Sequence, residues 1–168
     1  MAEASTRTPF PASDKADGKK LVKAVERASE AFADKNLRFT KLRQMVFEEI
    51  AATYASIGAY DILARMADKG NRVAPISIYR ALDALLEAGV IHRLESKNAF
   101  FACRRVDHST GRRPIFLSCE KCGAVGEVDG QHIFDAIGEA AKGAKFAPRV
   151  KFVEVQGLCP RCAAAEKA

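Results

Sequence analysis

Apolar residues recur along the first half of the chain at helical spacing. Leu21, Val25, Ala28 and Phe32 fall at i, i+4, i+7 and i+11, and Leu42, Met45, Val46 and Ile50 at i, i+3, i+4 and i+8, which predicts two amphipathic helices. Thr40 stands just before the second run, where its hydroxyl can accept an orphan amide of the first turn. A third, shorter helix is predicted over residues 59–69, with Ile62, Leu63 and Met66 inward and Gly70-Asn71 ending it. A fourth starts near Pro75, whose missing amide costs nothing in a first turn. It buries Ile78, Leu82, Leu85 and Leu86, shows Tyr79, Arg80, Asp83 and Glu87 on its other side, and ends at Gly89.

After Gly89 the period changes from helical to alternating. Residues 90–94 and 99–103 predict two strands joined by the turn Ser96-Lys97-Asn98. Helices followed by such a hairpin make a winged helix-turn-helix, here over residues 19–103. Residues 104–113 are polar and read as a hinge. Beyond them, residues 115–117, 124–128 and 150–155 predict strands around one helix, 131–142, with Ile133, Phe134, Ile137 and Ala141 on its buried side. The fold class is therefore α+β: the winged helix-turn-helix, then a small α/β domain over residues 114–163, of a size that would benefit from a metal or a dimer partner. Residues 1–18, rich in Pro and charge, and 164–168 are expected to be tails.

Composition narrows this picture. The chain has 168 residues, 48% of them hydrophobic, with no apolar run near the roughly 20 residues of a membrane span. No secretory leader is recognisable, so a soluble protein of a reducing, cytoplasmic compartment is expected. The net charge of +6 is unevenly placed. Residues 1–113 hold 20 Lys and Arg against 14 Asp and Glu, and residues 114–168 hold 7 against 7. The whole excess lies in the winged-helix part and hinge, a footprint for phosphate that a bland basic surface would also leave.

The chemistry is carried by cysteines. Cys119-Glu120-Lys121-Cys122 and Cys159-Pro160-Arg161-Cys162 each follow a strand-like run, and two such pairs put four thiolates within reach of one tetrahedral ion. Redox-active dithiols are the competing reading. They would want one pair to open a helix inside a βαβ unit, a setting neither pair has in the sequence. Four thiolates saturate zinc, so this site is structural, and a unit of about 55 residues needs such a staple.

Cys103 remains, with the three histidines of the chain. The hairpin brings His92 and Cys103 together at its base, His108 lies in the hinge, and Glu127 is the nearest carboxylate to complete a nitrogen, sulfur and oxygen set. Each also has an ordinary reading: Cys103 as a small buried hydrophobe, His108 and Glu127 as solvated side chains. His132 reads as a solvated residue at a helix start.

On the fourth helix, Ser77, Tyr79, Arg80, Asp83 and Ala84 form an exposed stripe fit to enter a major groove, or simply a solvated face. Arg80 can pair with guanine or phosphate, and Tyr79 can meet a thymine methyl. Arg38, Lys41, Arg43, Arg72, Lys97 and Lys23 are candidates for phosphate contact. There is no phosphate-binding glycine loop, nucleophile elbow, H-E-x-x-H or paired apolar carboxylates, so no enzyme and no small-molecule substrate is expected.

Several runs resemble the ferric uptake regulator family, and within it the zinc uptake regulator branch. They are Leu37-Arg38-Phe39-Thr40-Lys41-Leu42-Arg43, Ala59-Tyr60-Asp61-Ile62-Leu63, Ile76-Ser77-Ile78-Tyr79-Arg80-Ala81-Leu82-Asp83, the run from Leu85 to His92, and the two C-x-x-C pairs with Gly123 and Gly157-Leu158. The resemblance covers about residues 20–163. It implies a homodimer, two zinc ions per subunit and a palindromic DNA operator. One zinc would be structural, on Cys119, Cys122, Cys159 and Cys162. The other would be regulatory, on His92, Cys103, His108 and Glu127. His108 is the imidazole this chain offers where zinc-sensing relatives place one nearer the first C-x-x-C. The expected function is zinc-responsive repression of zinc-uptake genes. An iron- or peroxide-responsive member of the family and a zinc-ribbon interaction module without specific DNA binding are the alternatives.

Overall fold

A computed structural model describes residues 8–12, 15–104, 113–149 and 152–166. The chain divides into two units, Ala12–Arg104 on one side and Met1–Pro11 with Arg105–Ala168 on the other.

The first unit begins with α1 (Gly18–Asp34), capped by Asp17, whose carboxylate accepts the amide of Lys20 at 2.8 Å. α2 (Lys41–Ala51) is capped by the Thr40 hydroxyl, as its sequence position predicts. A two-residue strand, β1 (Ile57–Gly58), then leads into α3 (Ala59–Asp68). α4 (Pro75–Ala88) starts on its proline and stops at Gly89, whose φ of 77° is left-handed and cheap for glycine alone. The hairpin β2 (Ile91–Leu94) and β3 (Ala99–Ala102) turns through Glu95–Lys97 and Asn98, and pairs His92 with Phe101. β1 joins it along the other edge of β3, with Ile57 opposite Phe100, to give the order β1-β3-β2. Two residues carry no alternation, which is why sequence periodicity does not reveal β1.

The helices close over Phe32, Val46, Ile50, Ile62, Met66, Ile78, Leu82 and Leu85, all nearly or fully out of water. Burying each such side chain stabilises by about 1.5–3 kcal/mol relative to exposure, so this cluster is what holds α4 against the bundle. Lys35 also donates from Nζ to the Glu87 carbonyl at 2.6 Å, a cation at the C-terminal end of α4. The buried Glu49 carboxylate on α2 is paired with Lys69 at the end of α3. Ala84 departs from the predicted exposed stripe: it is buried, because it lies three residues after Ala81 and four before Ala88 on the core side.

The second unit is built on a three-stranded sheet. β4 (Pro114–Cys119) runs antiparallel to β5 (Val125–Asp129) and parallel to β6 (Glu154–Gly157), with Cys119 opposite Gly157. Between β4 and β5 the chain turns through Gly123 at φ 72°. β6 sits later than the predicted strand at 150–155, whose first two residues lie outside those described. α5 (Gln131–Gly143) buries Phe134, but Ile133 and Ile137 of its predicted inner side are 37% and 39% exposed. At 100° per residue both lie to one side of Phe134 around the helix, off the direction that Phe134 buries. The second C-x-x-C opens a further helix, α6 (Pro160–Glu166), whose Glu166 pairs with Lys121 at 3.1 Å. At the other end of the chain Phe10 packs on this unit, so part of the segment expected to be a tail has a definite place.

Candidate functional site

The four cysteines of the second unit meet at one point. Cys119 ends β4 and Cys122 lies in the turn after it, Cys159 immediately precedes α6 and Cys162 stands in its first turn, and the parallel pairing of β4 with β6 sets the two segments side by side. All four Sγ atoms lie within 4.8 Å of one another, and Cys122 Sγ is 3.7 Å from Cys159 Sγ. Thiolates holding zinc at about 2.3 Å stand about 3.8 Å apart at the corners of a tetrahedron, so the donor set fits that ion. The amide of Cys159 donates to Cys119 Sγ at 3.4 Å.

The surroundings treat the four sulfurs unequally. Burial raises the Cys119 thiol, but amides of Cys122, Cys159 and Lys121 and the Cys122 side chain outweigh it and bring it down to about 6. Burial, then the thiols of Cys159, Cys122 and Cys119, and the charge of Cys122 push Cys162 up to about 12. One sulfur is thus prepared as a thiolate before any metal arrives. The second pair does open a helix, but among the described residues no strand follows α6 to make the βαβ setting of a redox dithiol.

In the first unit, the wing unites two of the regulatory candidates. His92 on β2 and Cys103 just past β3 offer a ring nitrogen and a sulfur within 4.8 Å. The Cys103 amide donates to the Val90 carbonyl at 2.9 Å, which closes the hairpin base and sets that spacing. The His92 ring lies 5.5 Å from the Phe101 ring, and its Nε2 is shielded from solvent. Glu127 sits half-buried on β5 of the other unit, opposite Phe116. His108 lies outside the described residues, and His132 is exposed on the first turn of α5.

α4 presents Tyr79 and Arg80 to solvent, with Ser77 half-buried beside them. No acidic residue occupies its first turn, so its positive dipole end is left for an anion. Arg38, Lys41 and Arg72 are exposed at the starts of α2 and α4. Arg38 also accepts from Arg43 Nη1 at its carbonyl, at 2.5 Å, which ties the approach to α2. Tyr60 and Ile76, outside the set that the sequence points to, are 71% and 59% exposed. Tyr60 borders a shallow cleft with Pro75 and Tyr79, so the starts of α3 and α4 form one aromatic surface. A tyrosine on the polar side of a short helix was the available signal.

The model of the ferric uptake regulator family matches residues 34–155. The zinc uptake regulation protein of Escherichia coli (strain K12) is 34% identical over 139 residues, 83% of this chain and 81% of that one. A solved zinc uptake regulator complexed with zinc and DNA superposes with a TM-score of 0.80 at 31% identity, over 88% of this chain and 98% of that one. The crystal structure of holo XcZur gives 0.74 at 34% identity, over 84% and 98%.

Proposed function

The chain belongs to the ferric uptake regulator family, and we propose that within it the protein is a zinc-responsive, DNA-binding repressor of zinc-uptake genes. The observation that carries this reading is the pairing of His92 with Cys103 at the base of the wing, directly after α4. A metal held there restrains the same hairpin on which the end of α4 is mounted. Relatives that share about a third of its residues are zinc regulators, one of them solved with both zinc and DNA.

Two zinc ions serve each subunit in this reading. Cys119, Cys122, Cys159 and Cys162 hold a structural one. His92, Cys103, His108 and Glu127 hold the regulatory one, with ligands drawn from wing, hinge and β5. Bound zinc supplies a closed-shell Lewis acid that links these donors without redox change. The chain's own part is to couple that linkage to α4: zinc-loaded subunits favour one of two domain arrangements, and the ligand shifts the population by its preference for it.

The subunit pairs with a second copy through the second unit. Phe146, Phe152, Val155, Leu158, Ile133 and Ile137 remain exposed there and support such a face. In the dimer, two α4 helices about 34 Å apart read successive major grooves of a palindromic operator. Tyr79, Arg80 and Ser77 meet base edges, with Tyr60 beside them, while Arg38, Lys41 and Arg72 hold phosphates. The protein is a cytoplasmic regulator and not an enzyme, and takes no small-molecule substrate. The test is operator binding by fluorescence anisotropy during zinc titration, in the wild type and in His108→Ala. The reading requires binding that rises with zinc and needs more zinc in the variant. Binding that persists after a chelator strips the weaker metal overturns it.

A further inference from the structure

Pro9 and Phe10 lie on β5 of the second unit. A Cβ placed on Gly126 would stand 3.1 and 3.2 Å from Pro9 Cγ and Cβ and 3.4 Å from Phe10 Cε2, so the bare glycine is what lets this segment approach the strand. Gly126 is paired with Leu117, which alternation places on the same sheet face as Cys119. On that face Phe10 packs against the apolar cluster of Cys119, Ala124, Cys159 and Cys162. Among the described residues, Ala124 and Phe10 are the apolar side chains of this cluster other than the cysteines themselves. The Thr8 hydroxyl accepts the amide of Phe10 at 3.3 Å, which closes the segment into a local turn. Thr8, Pro9 and Phe10 lie outside residues 34–155, the stretch that the family model matches.

We infer that residues 8–11 are a cover over the four-cysteine site that slows the exchange of its metal. The inference rests on the reading of those cysteines as a zinc site. Zinc leaves a tetrathiolate centre when its sulfurs are protonated or when a competing ligand enters, and both need access to the sulfurs. The Phe10 ring occupies part of that access. So short a segment opens locally at far less cost than unfolding the whole unit, so the release rate follows the population of the opened segment.

The experiment uses the full chain carrying Cys103→Ser, which leaves the four-cysteine site as the metal centre, and follows zinc transfer to pyridylazoresorcinol. Phe10→Ala should speed the transfer roughly fivefold to tenfold, because the ring's apolar burial no longer holds the segment down, and Phe10→Leu should recover most of the protection. Rates that agree within about twofold overturn the inference while leaving the zinc site intact. A starting protein that contains no zinc instead overturns the metal-site reading, and the cover with it. Phe10→Trp supplies a second readout, since the chain has no tryptophan of its own. Its emission should be blue-shifted in the zinc-loaded protein and move toward that of water-exposed indole when zinc is removed. Water-like emission from the loaded protein would show the segment undocked and sink the proposal.

Discussion

Cys122 Sγ stands 3.7 Å from Cys159 Sγ, although one follows β4 and the other leads into α6. No local turn makes this contact. It depends on β6 lying parallel to β4 with Gly157 opposite Cys119, so the metal site and the sheet register are one structural fact. Among the described residues Ala124 and Phe10 are the apolar side chains packed around the sulfurs, and Ile115, Phe116, Val125 and Phe134 are the others this unit buries, a small core for a sheet of three short strands.

Removing one sulfur should therefore unfold the second unit and leave the first standing. Cys159→Ser is expected to lose the structural zinc and the signals of β4 to β6, while α1 to α4 keep their cooperative melting. Zinc analysis together with circular dichroism and amide exchange checks this. Full protection of β4 in the metal-free variant would contradict it.

The regulatory site separates from the structural one by stoichiometry. Cys103→Ser and His92→Ala should lower the metal content from about two zinc ions per subunit to about one, with little change in melting. Operator binding should then lose its response to added zinc, as read by anisotropy. Retention of both ions would remove Cys103 and His92 from the ligand set.

At the DNA, base and phosphate contacts should part company. Arg80→Ala is expected to cost about 1–3 kcal/mol on the cognate operator and to relax its sequence preference. Lys41→Ala should weaken all duplexes alike and lower the slope of log K against log salt by about one. Equal effects of the two substitutions on specific and random DNA would disprove this division of roles.

Acid should act on the structural site through Cys119. Its folded value of about 6 lies below the ordinary 9.0, so its ionisation favours the metal-free fold fully above pH 9.0, and that contribution is lost as pH falls through about 6. Cys162 has the opposite sign: held near 12, its proton favours the fold below pH 9.0, and this is lost as pH rises toward 12. Zinc therefore displaces a proton from Cys162 at neutral pH but not from Cys119. Below about pH 6 it must displace both, so the dependence of log K on pH should steepen there by about one proton. Chelator competition across this range measures the slope, and a constant slope would refute the assignment.

Much of the winged-helix unit was legible in residue order because its signals are local. The period of Leu21 to Phe32, the cap at Thr40, Pro75 opening α4 and the left-handed stop at Gly89 each act within one or two turns. The same holds for the hairpin that sets His92 near Cys103 and for the identity of the four cysteines. Ala84 was misplaced because a small side chain carries little hydrophobic signal of its own, and its burial follows from the helices around it.

What tertiary structure decided lies at contacts between distant segments. The pairing of β4 with β6, the short strand β1 against β3, and Phe10 on the cysteine cluster all join residues far apart in sequence, and the exposure of Ile133 and Ile137 shows where no such contact is made within the described residues of the subunit. Periodicity records which side chains avoid water within a segment, and the cysteine spacing names a metal chemistry. Neither specifies which surface removes a side chain from water, because that depends on the volume and hydrogen-bonding edges that other segments present once folded.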